Sequence, residues 1–475
     1  MKKLFGLITS FAICTLAFSQ ADVQLRIIGG TYEDVATSVV PAPDGGVYAL
    51  GSTSSHGDGT VRGYIAYYDS EFNYTWSALT PHGSMIENVV DGIIDNSTGD
   101  LLILTKRLGE NGTYNSMVHR IVNLGTECSF TSSQEIVDSD NQSPSSLINW
   151  RGSVYVVGDS EGDCWLKNLD DENDTQSWGY NLSNETVAAA RVHNDTLYVA
   201  GSTVVDGVEV ASVWAWGANG NTIWANIGPD ENAYGFNYSN DIATYDGGAT
   251  LLFSLEREEN PLGNGIIRFS DANGNPNTVV YGSATYYREG TRLIHHNGGL
   301  IKLSHTNFYG TNTDMNLVSM GFHGGYIDHD VLGTDFDEKP ADMEIDDEGV
   351  IWIVGTTYGY LNGSASICIY RIASSDLIGT VEPEETDLSI TNDPMLYGSV
   401  GIDDQEFAIN IYPNPASTQA TLSEQSDYVI YSASGVECAR GFGLQLDLSS
   451  LSGGLYFVKA TSANSTAVLP LQVIR

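Results

Sequence analysis

"DGGVYALGST", Asp44–Thr53, sets a turn acid and two glycines ahead of a short run of β-formers that closes on a third glycine. Near-copies of it return along most of the chain. Aligned on one position, they are VYALGST at Gly51, LLILTKR at Thr105, VYVVGDS at Gly158 and LYVAGST at Gly201. TLLFSLE at Phe253, LIKLSHT at Ser304 and IWIVGTT at Gly355 complete the set. Successive anchors lie 54, 53, 43, 52, 51 and 51 residues apart. A period near 50 built of several short strands marks a propeller and not a helical solenoid.

Each copy has the same internal order. A lead-in strand such as ATSVVPAP or PADMEID is followed by a turn at Asp44-Gly45, Asp246-Gly247, Asn297-Gly298 or Glu348-Gly349. These residues tolerate the positive φ of tight hairpins. The aligned run is the second strand. A third strand follows (GYIAYYD, SMVHRIV, CWLKNL, SVWAWGA, GIIRFSD, NLVSMGF, SICIYRI), and a fourth often carries Trp, as at Trp76, Trp178 and Trp224. Four strands in about 50 residues make one blade. The expected fold is therefore all-β, with a seven-bladed β-propeller over residues 20–380. VQLRIIGG, Val23–Gly30, precedes the first copy and is expected to close the ring by pairing into the last blade; LIGTVEP competes for that slot.

Composition agrees. There are 51 Gly and 26 Tyr against only 20 Lys+Arg, which favours turns and strands over helices. The net charge of -40 sets the chain against nucleic-acid phosphates and anionic membranes. The start, MKKLFGLITSFAICTLAFSQ, has Lys2 and Lys3, an apolar run and Ala17-Phe18-Ser19, so residues 1–19 read as a signal peptide cut before Gln20. Cys14 follows Ile13, a poor fit to a lipoprotein site. No run is long enough for a transmembrane segment. Cys128, Cys164, Cys368 and Cys438 lack metal-ligand spacing. Cys164 and Cys368 fall on blades that are not neighbours; Cys128 and Cys164 lie in adjacent copies and could pair.

Beyond about Thr380 the repeat stops. TVEPEETDLSITNDP is acidic and proline-bearing, and residues 381–406 read as a linker. Residues 407–475 alternate apolar and polar runs between Gly and Ser turns, which suggests a small C-terminal β-sandwich. This tail resembles the type A C-terminal sorting domain of the type IX secretion system of Gram-negative bacteria. The resemblance rests on Tyr412-Pro413-Asn414-Pro415, an apolar strand ending at Gly435, and LSSLSGGLYFVK with Gly454 and Tyr456, before a final apolar strand. It implies export across the outer membrane by that machinery, then release or attachment at the cell surface. Pro413 and Pro415 fix φ and withhold donors, marking the exit from the first strand.

Chemistry is harder to find. Five histidines crowd copy six: His295, His296, His305, His323 and His329, with Asp328 and Asp330 beside the last. His323 lies in a hairpin turn, and His295 and His296 point to opposite faces of a strand, so they do not chelate together. SDANGNPN, Ser270–Asn277, resembles the start of a calcium loop but lacks the downstream Glu, and reads as a hairpin. No cofactor is implied; calcium has abundant oxygen ligands but no nameable cage. Tyr67, Trp214, Trp216 and Trp352 read as core. The acids and bases fall mostly in hairpin turns. No GxSxG, HExxH or phosphate loop is present. Catalytic, cofactor and metal residues are accordingly none. Two functions remain: a non-catalytic binding or adhesion protein facing an extracellular glycan or protein, and a secreted hydrolase or lyase acting on polymer. The missing signatures favour the first. What decides is whether the mouth of the central channel gathers two or more carboxylates, or a His/Asp cage, from different blades.

Overall fold

The computed structural model describes residues 23–373 apart from short connecting segments, then 391–392, and 411–474 less 413–415, 433–436, 450 and 463–465. The signal peptide, LIGTVEP and most of the acidic linker lie outside the described residues. The chain divides into two compact units, Met1–Tyr397 and Gly398–Arg475.

The first unit is a β-propeller. Among the described residues its strands form successive antiparallel sheets in chain order; Asp34–Leu79, Glu87–Ile136, Gln142–Trp178, Thr186–Ile227, Phe236–Tyr281 and Arg288–Leu332 each make one of four strands. The seventh takes three strands from Glu338–Ala373 and its fourth from Val23–Ile28, which runs antiparallel to Ser366–Ala373. The N-terminal strand thus takes the closing slot. Thr391–Asn392 adds a short parallel pairing outside it. The first strand of each blade packs against the first strand of the next, and the seventh returns to the first. These seven strands therefore surround the central channel.

All seven anchors occupy one structural position. In every blade the first strand carries a β-bulge, and the anchor pairs with the residue just before it: Ala36↔Gly51, Val89↔Thr105, Pro144↔Gly158, Val187↔Gly201, Ser239↔Phe253, Gly290↔Ser304 and Pro340↔Gly355. The bulge explains why the anchor is so often glycine. A Cβ at Gly201 would stand 2.1 Å from the Thr186 carbonyl oxygen, and one at Gly51 would stand 2.3 Å from that of Val35. The Asn297-Gly298 turn has φ of 48° and 76°, a two-residue hairpin that needs both residues left-handed.

Successive blades interleave apolar faces. One inter-blade core joins Tyr48, Leu50, Ile65 and Tyr67 to Val89, Leu101, Ile103 and Ile121; others repeat this around the ring. Tyr67, Trp214, Trp216 and Trp352 are all buried. Backbone clasps add to the seams: the amides of Asp34, Glu87, Glu185 and Glu338 each donate to a carbonyl of the preceding blade, at Ala365, Val61, Gly162 and Thr313. The four described cysteines are free thiols, so the pairing open to Cys128 and Cys164 is not made. No helix among the described residues is long and apolar enough to cross a membrane.

In the second unit five strands hydrogen-bond into one continuous sheet around the long strand Gln419–Ser432. Its core gathers Leu422, Ile430, Leu446, Leu448, Val458, Leu471 and Val473.

Candidate functional site

The residue after each bulge lies on the strand of its blade nearest the channel. Around the ring these are Ser38, Asp91, Ser146, Ala189, Asp241, Arg292 and Asp342. Where the residue is polar, it commonly accepts from a backbone amide of the next blade. Asp342 Oδ2 takes the Val39 amide at 2.9 Å, Asp91 Oδ2 that of Leu147 at 2.9 Å and Asp241 Oδ2 that of Leu293 at 2.8 Å. Ser146 Oγ takes that of Ala190 at 3.2 Å. Ser38 Oγ bridges Asp342 Oδ2 at 2.9 Å and Asp91 Oδ1 at 3.3 Å.

Two arginines cross this ring. Arg292 Nε donates to Asp342 Oδ1, and its Nη1 lies 3.2 Å from Asp241 Oδ1. Arg191, from the fourth blade, places Nη2 3.5 Å from Asp241 Oδ1 and 3.7 Å from Glu344 Oε1 of the seventh. Arg292 Nη2 stands 3.9 Å from the same Glu344 oxygen. Burial raises the Asp342 carboxyl, but the Arg292 charge and hydrogen bond outweigh it and hold the group below the ordinary range. Burial lifts Glu344 to about 7, with Arg191 opposing and Asp342 reinforcing. Burial also lifts Asp91. Arg292 is held well above its usual value; burial opposes this, and Asp342 and Asp241 prevail.

The expectation that ionisable groups lie mostly in hairpin turns is corrected here. Six of them converge from first strands: Asp91, Asp241, Arg292 and Asp342 at the position after the bulge, and Arg191 and Glu344 two residues beyond it. The sequence signal of the first four is a column 12 to 14 residues before each anchor, reading Ser, Asp, Ser, Ala, Asp, Arg, Asp. It appears only after all seven copies are aligned.

At the end of the channel nearest the bulges, a cavity of about 450 Å³ opens between blades five, six and seven. It is lined by Asn240, Glu289, Gly290, Thr291, His305, Lys339 and Pro340. Asn240 and Thr291 are the extra residues of their bulges, and bulges re-aim side chains. Tyr238 donates its hydroxyl to Glu289 Oε1 at 3.2 Å. Burial pulls the His305 imidazole down, Glu289 opposing and Lys339 assisting.

The other histidines of copy six scatter. His295 accepts or donates with Thr250 Oγ1 at 2.9 Å and packs on Tyr245; burial lowers it to about 4. His323 sits in the hairpin turn, 2.9 Å from Arg268 Nη1. His296 meets Asn297 at 2.7 Å, and His329 meets the Tyr326 hydroxyl on the outer strand. No group of three His, Cys, Asp or Glu positioned for a metal occurs among the described residues. A further histidine was passed over: His119 Nε2 lies 2.7 Å from Glu87 Oε1, both fully buried, and its Nδ1 lies 2.8 Å from Ser133 Oγ. Of the tail motif, Tyr412 is exposed on a two-residue strand, and Tyr456 is buried with its hydroxyl donating to the Ser452 carbonyl at 3.1 Å. Gly454 begins the strand Gly454–Thr461. Pro413, Asn414, Pro415 and Gly435 lie outside the described residues.

The ring and the tail together define an exported β-propeller repeat protein. Residues 410–473 match the secretion system C-terminal sorting domain, so the chain carries a type IX sorting tail and is directed to the outer cell surface or the medium. Among solved structures it is similar to Sqt1 from Chaetomium thermophilum, at 13% identity and TM-score 0.46 over 76% of this chain and 85% of that one. The β-propeller domain of the Trilobed protease from Pyrococcus furiosus matches at 11% identity and TM-score 0.44, over 78% of this chain and 99% of that one. Drosophila Semaphorin 2a matches at 8% identity and TM-score 0.45, over 95% and 97%. No curated protein matches.

Proposed function

We propose that the protein is a non-catalytic binding or adhesion module that presents the faces of a complete seven-bladed ring, residues 20–380, to an extracellular glycan or protein ligand. One observation carries this reading. The cavity at the channel mouth has a single carboxylate among its described lining residues, Glu289. Polymer hydrolysis by paired acids needs two carboxylates facing one opening. The carboxylates deeper in the channel are taken up by Arg191, Arg292 and backbone amides.

Residues 1–19 act as the signal peptide and 381–406 as the linker, and 407–475 fold as a small β-sandwich that engages the secretion machinery. One apolar core shared by the strands of the single described sheet supports the sandwich. Tyr412, Pro413, Asn414, Pro415, Gly435, Gly454 and Tyr456 form its sorting motif. The protein works without a resident cofactor, with calcium binding to acidic loops still to be tested by titration.

A secreted hydrolase or lyase is the second reading. Glu344 favours it, since a carboxyl held at about 7 suits a general acid. The test sets the full-length protein against polysaccharides, peptides and esters, with and without calcium. The binding reading expects ligand retention without turnover. Turnover abolished by Glu344→Gln overturns it in favour of the enzyme.

A further inference from the structure

Building on the binding reading, we infer that the cavity between blades five, six and seven is a receptor site for a small zwitterion, a free α-amino acid or a dipeptide. The repeat itself singles the cavity out. At the position two before the bulge residue, the first five blades carry Val35, Asn88, Ser143, Thr186 and Tyr238, none of them charged. The sixth and seventh carry Glu289 and Lys339, opposite charges on adjacent blades, and both line the cavity. His305 pairs with Glu289 in register and feels both charges. Asn240 and Thr291, aimed by their bulges, add an amide and a hydroxyl.

Charge and shape then select the ligand. A protein with net charge -40 repels a lone anion, whereas a zwitterion carries no net charge. Glu289, held by Tyr238, receives the ammonium group, and Lys339 receives the carboxylate. A volume of about 450 Å³ lies toward the low end of small-molecule sites. None of the described lining residues is Trp, Tyr or Phe, so the broad stacking platform that favours sugar rings is missing there. The floor is tight at Gly290, where a Cβ would meet the Leu252 side chain at 2.8 Å.

The test is calorimetric titration of the full-length protein with glycylglycine, N-acetylglycylglycine, glycylglycinamide and maltose. Glycylglycine is expected to bind, and capping either end to weaken it about tenfold, near 1.4 kcal/mol. Glu289→Gln should abolish discrimination against the acetylated amine alone, and Lys339→Met discrimination against the amide alone. Such end-specific losses do not arise from general damage to the fold. Equal affinity for capped and free dipeptides overturns the proposal, as does no binding of glycylglycine at about 10 mM. Maltose binding weakened by Asn240→Ala would replace the zwitterion with a saccharide and leave the binding reading standing. Turnover of polymer with no retained ligand would remove both.

Discussion

Replacing Arg292 by methionine cuts the centre out of the channel cluster. The guanidinium contacts Asp342, lies 3.2 Å from Asp241 and reaches Glu344 at 3.9 Å. Methionine preserves much of the stem but leaves Asp241 and Asp342, at 0% and 1% exposure, with only amides, Ser38 and Arg191 as partners. Breaking a buried pair from one side costs about 3–5 kcal/mol. Arg191 still offsets part of the Asp241 charge, so the lower end, about 3 kcal/mol, is expected at pH 8. The loss should depend on pH. In the wild type Arg292 holds the Asp342 carboxyl low. Without it, burial lifts the folded-state value above the unfolded one, near 4. A raised carboxyl disfavours folding above that range, and the penalty fades as pH falls toward it. The difference between variant and wild type should therefore shrink to about 1 kcal/mol near pH 4.5. Urea unfolding followed by tryptophan fluorescence and circular dichroism across that range measures it. A loss under about 0.5 kcal/mol at pH 8, or one unchanged by pH, would refute the account of the cluster as a mutually dependent lock.

Three further outcomes follow from other parts of the molecule. Deleting residues 410–473 should leave the propeller in the periplasm, read by cell fractionation; normal levels at the surface or in the medium would contradict the sorting role. Gly201→Ala should destabilise by about 2–3 kcal/mol through its contact with the Thr186 carbonyl, whereas Gly263→Ala, with nothing within 4 Å, should change stability by under about 0.5 kcal/mol in the same urea assay. In native protein a thiol reagent should modify exposed Cys438 quickly and buried Cys164 and Cys368 only on unfolding, since burial pushes both thiols far up; equal rates would show the blades to be loose.

The blades were legible because their grammar is local. An anchor such as Gly51 or Gly355 is small for a reason that acts within one hairpin, so each copy repeats it. Thr105, Phe253 and Ser304 depart from glycine, yet apolar runs on the same spacing still mark them. The tail was legible for the same reason, through short blocks in fixed order. The channel cluster was not. Arg191, Asp241, Arg292 and Asp342 lie about one repeat apart, and each looks like an isolated charge in a strand of ordinary composition. The Glu87–His119 pair hid differently: a histidine inside SMVHRIV gives no sign of the acid that begins the strand two places away in the sheet. The mouth cavity depends on bulge direction, which is a property of backbone path and not of residue type.

The strand Val23–Ile28 gives the ring a calendar. It is made early, yet its partner Ser366–Ala373 is separated from it by 338 positions. Joining ends that far apart costs on the order of 5 kcal/mol in chain entropy by the logarithmic loop law. That cost falls as the intervening blades condense and bring the two ends together. Closure should thus be the last step, with both rims of the unfinished ring exposed until it happens. Once latched, the ring opens at this seam only by peeling six residues of antiparallel ladder.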